Sequence, residues 1–125
     1  MVRAELERVD VLAGWLKVLA EPNRLRIVDL LMQGEQCNCE MGGKLGMAPN
    51  LISHHLGVLQ KAGLIEARRD PDDARWVHFS MNRDALSGLN GALVSFFDPT
   101  RIQDGLGASC GPRINFVAQQ RASTP

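Results

Sequence analysis

Two helical segments separated by three residues, with a turn-rich hairpin after them, constrain this chain more than any other feature. The spacing predicts a short helix from residue 37 or 39 to 45, closed by Gly46, and another from Pro49 to about Ala62, stopped by Gly63. Glycine just past a helix end and proline in a first helical turn are the places each residue suits. The connection is Gly46-Met47-Ala48 alone, and two helices joined by so short a turn form a helix-turn-helix candidate. Residues 64–69 and 76–81 can each form a short strand, and Asp70-Pro71-Asp72-Asp73-Ala74 between them is turn chemistry. A hairpin directly after a helix-turn-helix is the arrangement of a winged helix.

The flanking segments fit the same plan. Leu6, Val9, Leu12, Leu16 and Leu19 recur at helical spacing with charges between them. Glu21-Pro22 ends that helix and starts a second, in which Leu25, Ile27, Val28, Leu30 and Leu31 are apolar and Gly34 is the stop. A final helix over residues 83–97 carries Leu86, Leu89, Leu93 and Phe97 on one side. The expected fold is mainly α with a small β-hairpin, a winged helix-turn-helix. Residues 1–98 form that domain. Residues 99–125, with glycines, prolines and polar side chains, read as a flexible tail that carries Cys110. A chain of 125 residues has the length of one such domain.

The 14 basic and 14 acidic residues cancel, whereas nucleic-acid binders usually carry a basic excess. The distribution says more than the total. Residues 1–40 hold five basic and seven acidic side chains, while residues 41–69 hold Lys44, Lys61, Arg68 and Arg69 against Glu66 alone. Any nucleic-acid face belongs in the middle of the chain. Glu5, Glu7, Arg8 and Asp10 interrupt the N-terminus, which does not read as a signal peptide, and no stretch has the length and apolarity of a membrane span. The expected location is the cytoplasm, with no membrane partner. In that compartment three cysteines are not a disulfide framework.

The fourth helix has two distinct faces. Ile52, Leu56 and Leu59 fall at i, i+4 and i+7 and point to the core, whereas Asn50, Ser53, His54 and Gly57 form a small, polar stripe elsewhere on the helix. Small residues let a helix enter a major groove, and amide, hydroxyl and imidazole groups hydrogen-bond base edges or phosphates. A solvated face would look similar. The adjoining hairpin tips the balance, because Arg68, Arg69 and Arg75 can meet phosphate or a minor groove. Asp70, Asp72 and Asp73 oppose that contact, so the hairpin tip is expected to point away from the backbone or to add little. The candidate DNA-binding set is Pro49, Asn50, Ser53, His54, Arg68, Arg69 and Arg75.

Leu19-Ala20-Glu21-Pro22-Asn23-Arg24-Leu25-Arg26-Ile27 resembles the opening motif of the arsenic-repressor (ArsR/SmtB) family. Asn50-Leu51-Ile52-Ser53-His54-His55-Leu56, followed by Leu59 and Ala62-Gly63-Leu64-Ile65, resembles that family's recognition-helix signature. The likeness spans roughly residues 6–97. Ala48 departs from it, since the family usually caps this helix with serine or threonine, and so does the long acidic hairpin tip. The resemblance implies a homodimer built on the first and last helices. It implies binding to double-stranded operator DNA, repression by the ligand-free form, and release when an inducer binds.

In that family a Cys-x-Cys pair at the place of Cys37-Asn38-Cys39 binds arsenite, antimonite, cadmium or lead. Arsenite repressors with a third cysteine three residues on would need it at Gly42, so that ligand is missing. The family's zinc, nickel and cobalt sensors use histidines and carboxylates of the last helix, but residues 83–97 contain no histidine. The three histidines are His54, His55 and His78; His55 is expected to pack partly inward. The amino-terminal cysteine pair of the cadmium–lead sensors is also lacking. The implied inducer is trivalent arsenic or antimony, as arsenite or antimonite, with cadmium, lead or thiol oxidation as alternatives and no permanently bound cofactor.

Geometry adds conditions. Residues i and i+2 of an α-helix point about 200° apart, so Cys37 and Cys39 share one ion only where the helix starts between them or is distorted. Binding then strains or tilts the third helix, which supports the recognition helix. Soft thiolates select soft ions. A trivalent arsenic or antimony centre takes three thiolates in a pyramid, and Cys110 is the thiol left to complete Cys37 and Cys39. Buried, unreactive cysteines or a redox pair are the competing readings. An enzyme is not expected. There is no Cys-x-x-Cys, no Cys-x5-Arg loop, no glycine-rich phosphate loop and no Ser/His/Asp arrangement. A winged helix that binds only protein fits the neutral charge, but the polar stripe at Asn50, Ser53 and His54 opposes it.

Overall fold

Glu21 starts the second helix in the way its sequence requires. Its carboxylate accepts from the backbone N–H of Asn23 at 2.9 Å and of Arg24 at 3.2 Å, and Pro22 takes the first helical turn, where no N–H is needed. The computed structural model describes residues 2–105. In chain order they form α1 (Val2–Leu19), α2 (Pro22–Leu31), β1 (Gln36–Cys37), α3 (Asn38–Leu45), α4 (Pro49–Lys61), β2 (Ile65–Arg69), β3 (Val77–Met81) and α5 (Arg83–Phe96). This is the expected winged helix-turn-helix, mainly α with a small antiparallel sheet.

The turn between α3 and α4 depends on glycine. Gly46 caps α3 with φ +65°, the left-handed conformation that a side chain disfavours, and its N–H returns to the Gly42 carbonyl. Gly63 does the same service after α4 at φ +82°. Between the two helices Met47 turns inward and is buried, so the short connection also seals the core.

The core is one cluster under α4. Ile52, Leu56 and Leu59 meet Ile27, Leu30 and Leu31 of α2, Met41 of α3, Leu64, Ile65 and Phe79 of the sheet, and Leu89 of α5. Burial of each large aliphatic side chain contributes about 1.5–3 kcal/mol, so α4 is fixed mainly by its inward face.

Several expectations need correction. The sheet has three strands in the order β1-β3-β2, not two. The extra strand pairs Gln36 with Phe79 and Cys37 with His78; at two residues it is too short to show any periodicity. The strands begin one residue later than expected, at Ile65 and Val77. Trp76 remains in the turn, where the Arg75 guanidinium lies 5.6 Å from its ring centre. Of the apolar stripe in α1 only Leu12 is buried, while Leu6, Val9 and Leu16 are exposed. Leu89 is the buried residue of α5, and Phe97, just past the helix, is 61% exposed. The chain continues beyond residue 98 in a short 3-10 turn, Pro99–Arg101, capped by Asp98. Cys110 lies outside the described residues.

Ala48 stands at the N-cap of α4 with no side chain to accept a helix N–H. Ala48→Ser is expected to stabilise the fold by about 0.5–1 kcal/mol. The measurement is a higher urea midpoint at unchanged m-value.

Candidate DNA-binding face and thiol site

The inward face of α4 decides what its outward face presents. Asn50, Ser53, His54 and Gly57 are all exposed, as is Pro49 at the helix start. His55, the next residue after His54, is only 5% exposed. The Arg24 guanidinium lies 3.3 Å from His55 Nδ1, and Glu21 Oε2 lies 3.5 Å from Nε2. A guanidinium can only donate, so Nδ1 is the acceptor and the ring proton sits on Nε2, toward Glu21. Burial lowers the His55 pKa below its ordinary 6.5, with Arg24 and His54 adding to the effect and Glu21 opposing it. Arg24 also donates through Nε to the Val18 carbonyl. Glu21, Arg24 and His55 thus tie the end of α1 and the start of α2 to the middle of α4. The two sequence segments that carry the family resemblance meet at this point.

The three arginines are exposed but none is idle. Arg68 binds Glu35 at 2.7 Å, Arg69 donates to the Ala74 carbonyl at 2.6 Å, and Arg75 pairs with Asp73 at 2.7 Å. The acidic tip is folded on itself: Asp70 accepts from the backbone of Asp72 and Asp73, and binds His78 Nε2 at 2.9 Å. The His78 hydrogen bond, more than those backbone donors, holds the Asp70 carboxyl below the usual aspartate range. The Asp70 and Asp73 carboxylates thus already have partners within the hairpin.

The cysteines occupy a junction. Cys37 ends β1 and is the N-cap of α3, and Cys39 lies in the first turn of that helix. The helix therefore starts between them, the condition that sequence geometry set for sharing one ligand. Their Cα atoms are 5.2 Å apart, and the structure joins the two sulfurs as a disulfide. Residues two apart at a helix start are thus brought close enough to bridge, as the competing redox-pair reading requires. Cys37 Sγ also accepts from the Cys39 N–H at 3.3 Å, so sulfur caps the helix. Asn38 Oδ1 accepts from the Val77 N–H at 3.2 Å, and Cys37 pairs with His78, which pairs in turn with Arg68. The cysteine pair is thereby attached to α3 and to the wing at once.

Sequence reasoning missed these wing attachments, and the Glu35–Arg68–His78–Asp70 cluster beside them, because strand register is set by partners far along the chain. Among the described residues no three His, Cys, Asp or Glu side chains are grouped to hold a metal ion. The position expected for a third cysteine is sterically tight, since a Cβ at Gly42 would lie 3.1 Å from the Met47 carbonyl oxygen.

Residues 21–67 match the family model described as bacterial regulatory protein, arsR family. The chain is 32% identical over 91 residues to the nodulation protein NolR of Rhizobium meliloti, covering 73% of this chain and 72% of that protein. It is 31% identical over 98 residues to a biofilm growth-associated repressor of Xylella fastidiosa, covering 78% and 83%. Among solved structures, a possible transcriptional regulator for arsenical resistance superposes with a TM-score of 0.61 at 28% identity, covering 88% of this chain and 95% of that one.

Because the folded His55 pKa is depressed, the unfolded chain binds more protons between the folded value and 6.5. Stability is therefore full above 6.5 and declines as pH falls through that window. Urea midpoints at about pH 7.5 and about pH 5.5 are expected to differ more for the native chain than for His55→Gln; equal differences would remove His55 as the cause.

Proposed function

This chain belongs to the arsR family of bacterial regulatory proteins, and we propose that it is a homodimeric repressor that leaves its operator when trivalent arsenic or antimony binds its cysteines. The observation that carries the reading is the pairing of Cys37 and Cys39 across the start of α3, the helix that precedes the exposed stripe of α4. Its relatives are regulators rather than enzymes, one being named a repressor and one a possible regulator for arsenical resistance.

In this reading Asn50, Ser53 and His54 contact base edges in the major groove, with Pro49 setting the helix start against the phosphates. Arg68, Arg69 and Arg75 reach phosphate only by exchanging their present partners, so their share is smaller. Leu6, Val9 and Val11 of α1 and Val94 and Phe97 at α5 leave apolar surface exposed on two helices that pack together, which supports a second copy of the chain as the partner there. The ligand-binding form is the reduced dithiol, with Cys110 as the third thiolate for arsenite or antimonite. A ligand that takes the Cys37 sulfur withdraws it from the N–H of Cys39 and disturbs the first turn of α3. Cadmium and lead are the alternative ions. Thiol oxidation is a second reading, favoured by the disulfide itself: closing the bridge removes both thiolates. The absence of any described helix long and apolar enough to cross a membrane accords with a regulator working in the cytoplasm.

The test is fluorescence anisotropy of the reduced protein on labelled DNA from its own promoter region. Arsenite or antimonite is expected to release the DNA, and Cys110→Ser to weaken that response. Release by cadmium alone keeps the architecture and replaces the inducer; indifference to every ion contradicts the sensor. His54→Ala is expected to weaken DNA binding by about tenfold, the size of one lost base contact, without changing the urea midpoint. Undiminished affinity would move the reading face away from α4.

A further inference from the structure

An open cavity of about 600 Å³ begins at Cys39 and runs between α3, α4 and β3. Met47, Leu56, Val77 and Phe79 give it an apolar wall, and on the α3 side Gly43 contributes no side chain. Its volume and lining suit a small organic group rather than a bare ion. Cys37 and Cys39 are the only cysteines among the described residues. Gly42, where a third sulfur would stand, is part of the cavity wall.

We propose that this cavity holds the organic substituent of a monosubstituted trivalent arsenical, R–As(OH)2, whose arsenic is bound by the reduced Cys37–Cys39 pair. The inference rests on the thiol-sensor reading and replaces Cys110, as the third partner of arsenic, with a carbon that the ligand carries. Trivalent arsenic makes three bonds; two go to sulfur, and the third is the As–C bond that the ligand brings. Two As–O bonds break and two As–S bonds form. The thiol protons leave with the hydroxides as two waters, and arsenic stays trivalent. The bridge is opened beforehand by a small-molecule thiol, which is oxidised to its own disulfide as Cys37 and Cys39 take up two electrons and two protons. Ser53 and Gly57 line the same cavity and lie on the exposed stripe of α4. A filled cavity and a major groove therefore compete for one face of the helix.

The test uses the full chain with Cys110→Ser, reduced by a phosphine and titrated calorimetrically with phenylarsonous acid, methylarsonous acid and arsenite. The same series on dithiothreitol gives the preference of a free dithiol. The phenyl-over-methyl preference of the protein is expected to exceed that of dithiothreitol by about tenfold or more, the effect of burying an aromatic ring. Gly43→Leu is expected to abolish the excess and leave methyl binding intact, since Gly43 lines the cavity and a Cβ there meets nothing within 4 Å. Equal preferences on protein and dithiothreitol overturn the proposal, as does an excess untouched in a folded Gly43→Leu. If Gly43→Leu does not fold, the ligand series on the unfilled cavity decides alone. Arsenite binding without any phenyl excess defeats this proposal but spares the sensor reading, whereas failure of all three arsenicals to bind either this variant or the native reduced chain defeats both.

Discussion

His55 is buried between Glu21 and Arg24, while His54, one residue earlier, faces solvent. That difference is about 100° of helix rotation, and the outward face of α4 depends on it. The inward row of Ile52, Leu56 and Leu59 fixes the helix against the core through many small apolar contacts. The imidazole adds a directional tether, because Arg24 must donate to it and Glu21 must accept. Apolar packing alone tolerates small rotations, whereas a buried ring with a donor on one side and a carboxylate on the other does not. The polar stripe of Asn50, Ser53 and His54 is thereby held in a fixed direction, and a helix that reads base edges needs that.

The thiol site works from the other end of the helix-turn-helix. α3 has eight residues and one fully buried anchor, Met41. A helix so short draws much of its stability from its ends. One end is a sulfur cap at Cys37, and the other is the left-handed Gly46 that leads within three residues into α4. Chemistry at the sulfur is therefore separated from α4 by few intervening bonds. Asn38 and the Cys37–His78 pairing attach the same site to the wing, so under the proposed function both α4 and the wing answer to it.

Much of this was legible in the chain. Proline and glycine marked the helix ends, the i, i+4, i+7 row of α4 named the buried residues, and the shortness of Gly46-Met47-Ala48 announced the helix-turn-helix. What escaped detection depends on residues distant in sequence. The strand Gln36–Cys37 exists because Phe79 and His78 lie beside it. The occupied state of Arg68 needs Glu35, 33 residues away. The open apolar side of α1 was visible as periodicity, yet periodicity cannot say whether Leu6 and Val9 meet their own chain; they are exposed in the single chain. Cys110, which the sequence marks as the third thiol, lies beyond the described residues.

Amide hydrogen exchange on the reduced protein, with and without antimonite, measures the coupling between thiol site and recognition helix most directly, because exchange reports the opening of hydrogen-bonded segments. Antimonite is expected to alter protection in residues 38–45 and to carry the change into residues 49–57, while residues 83–96 keep theirs. Antimonite bound at the cysteines with protection unchanged across α4 would contradict the coupling on which the account rests.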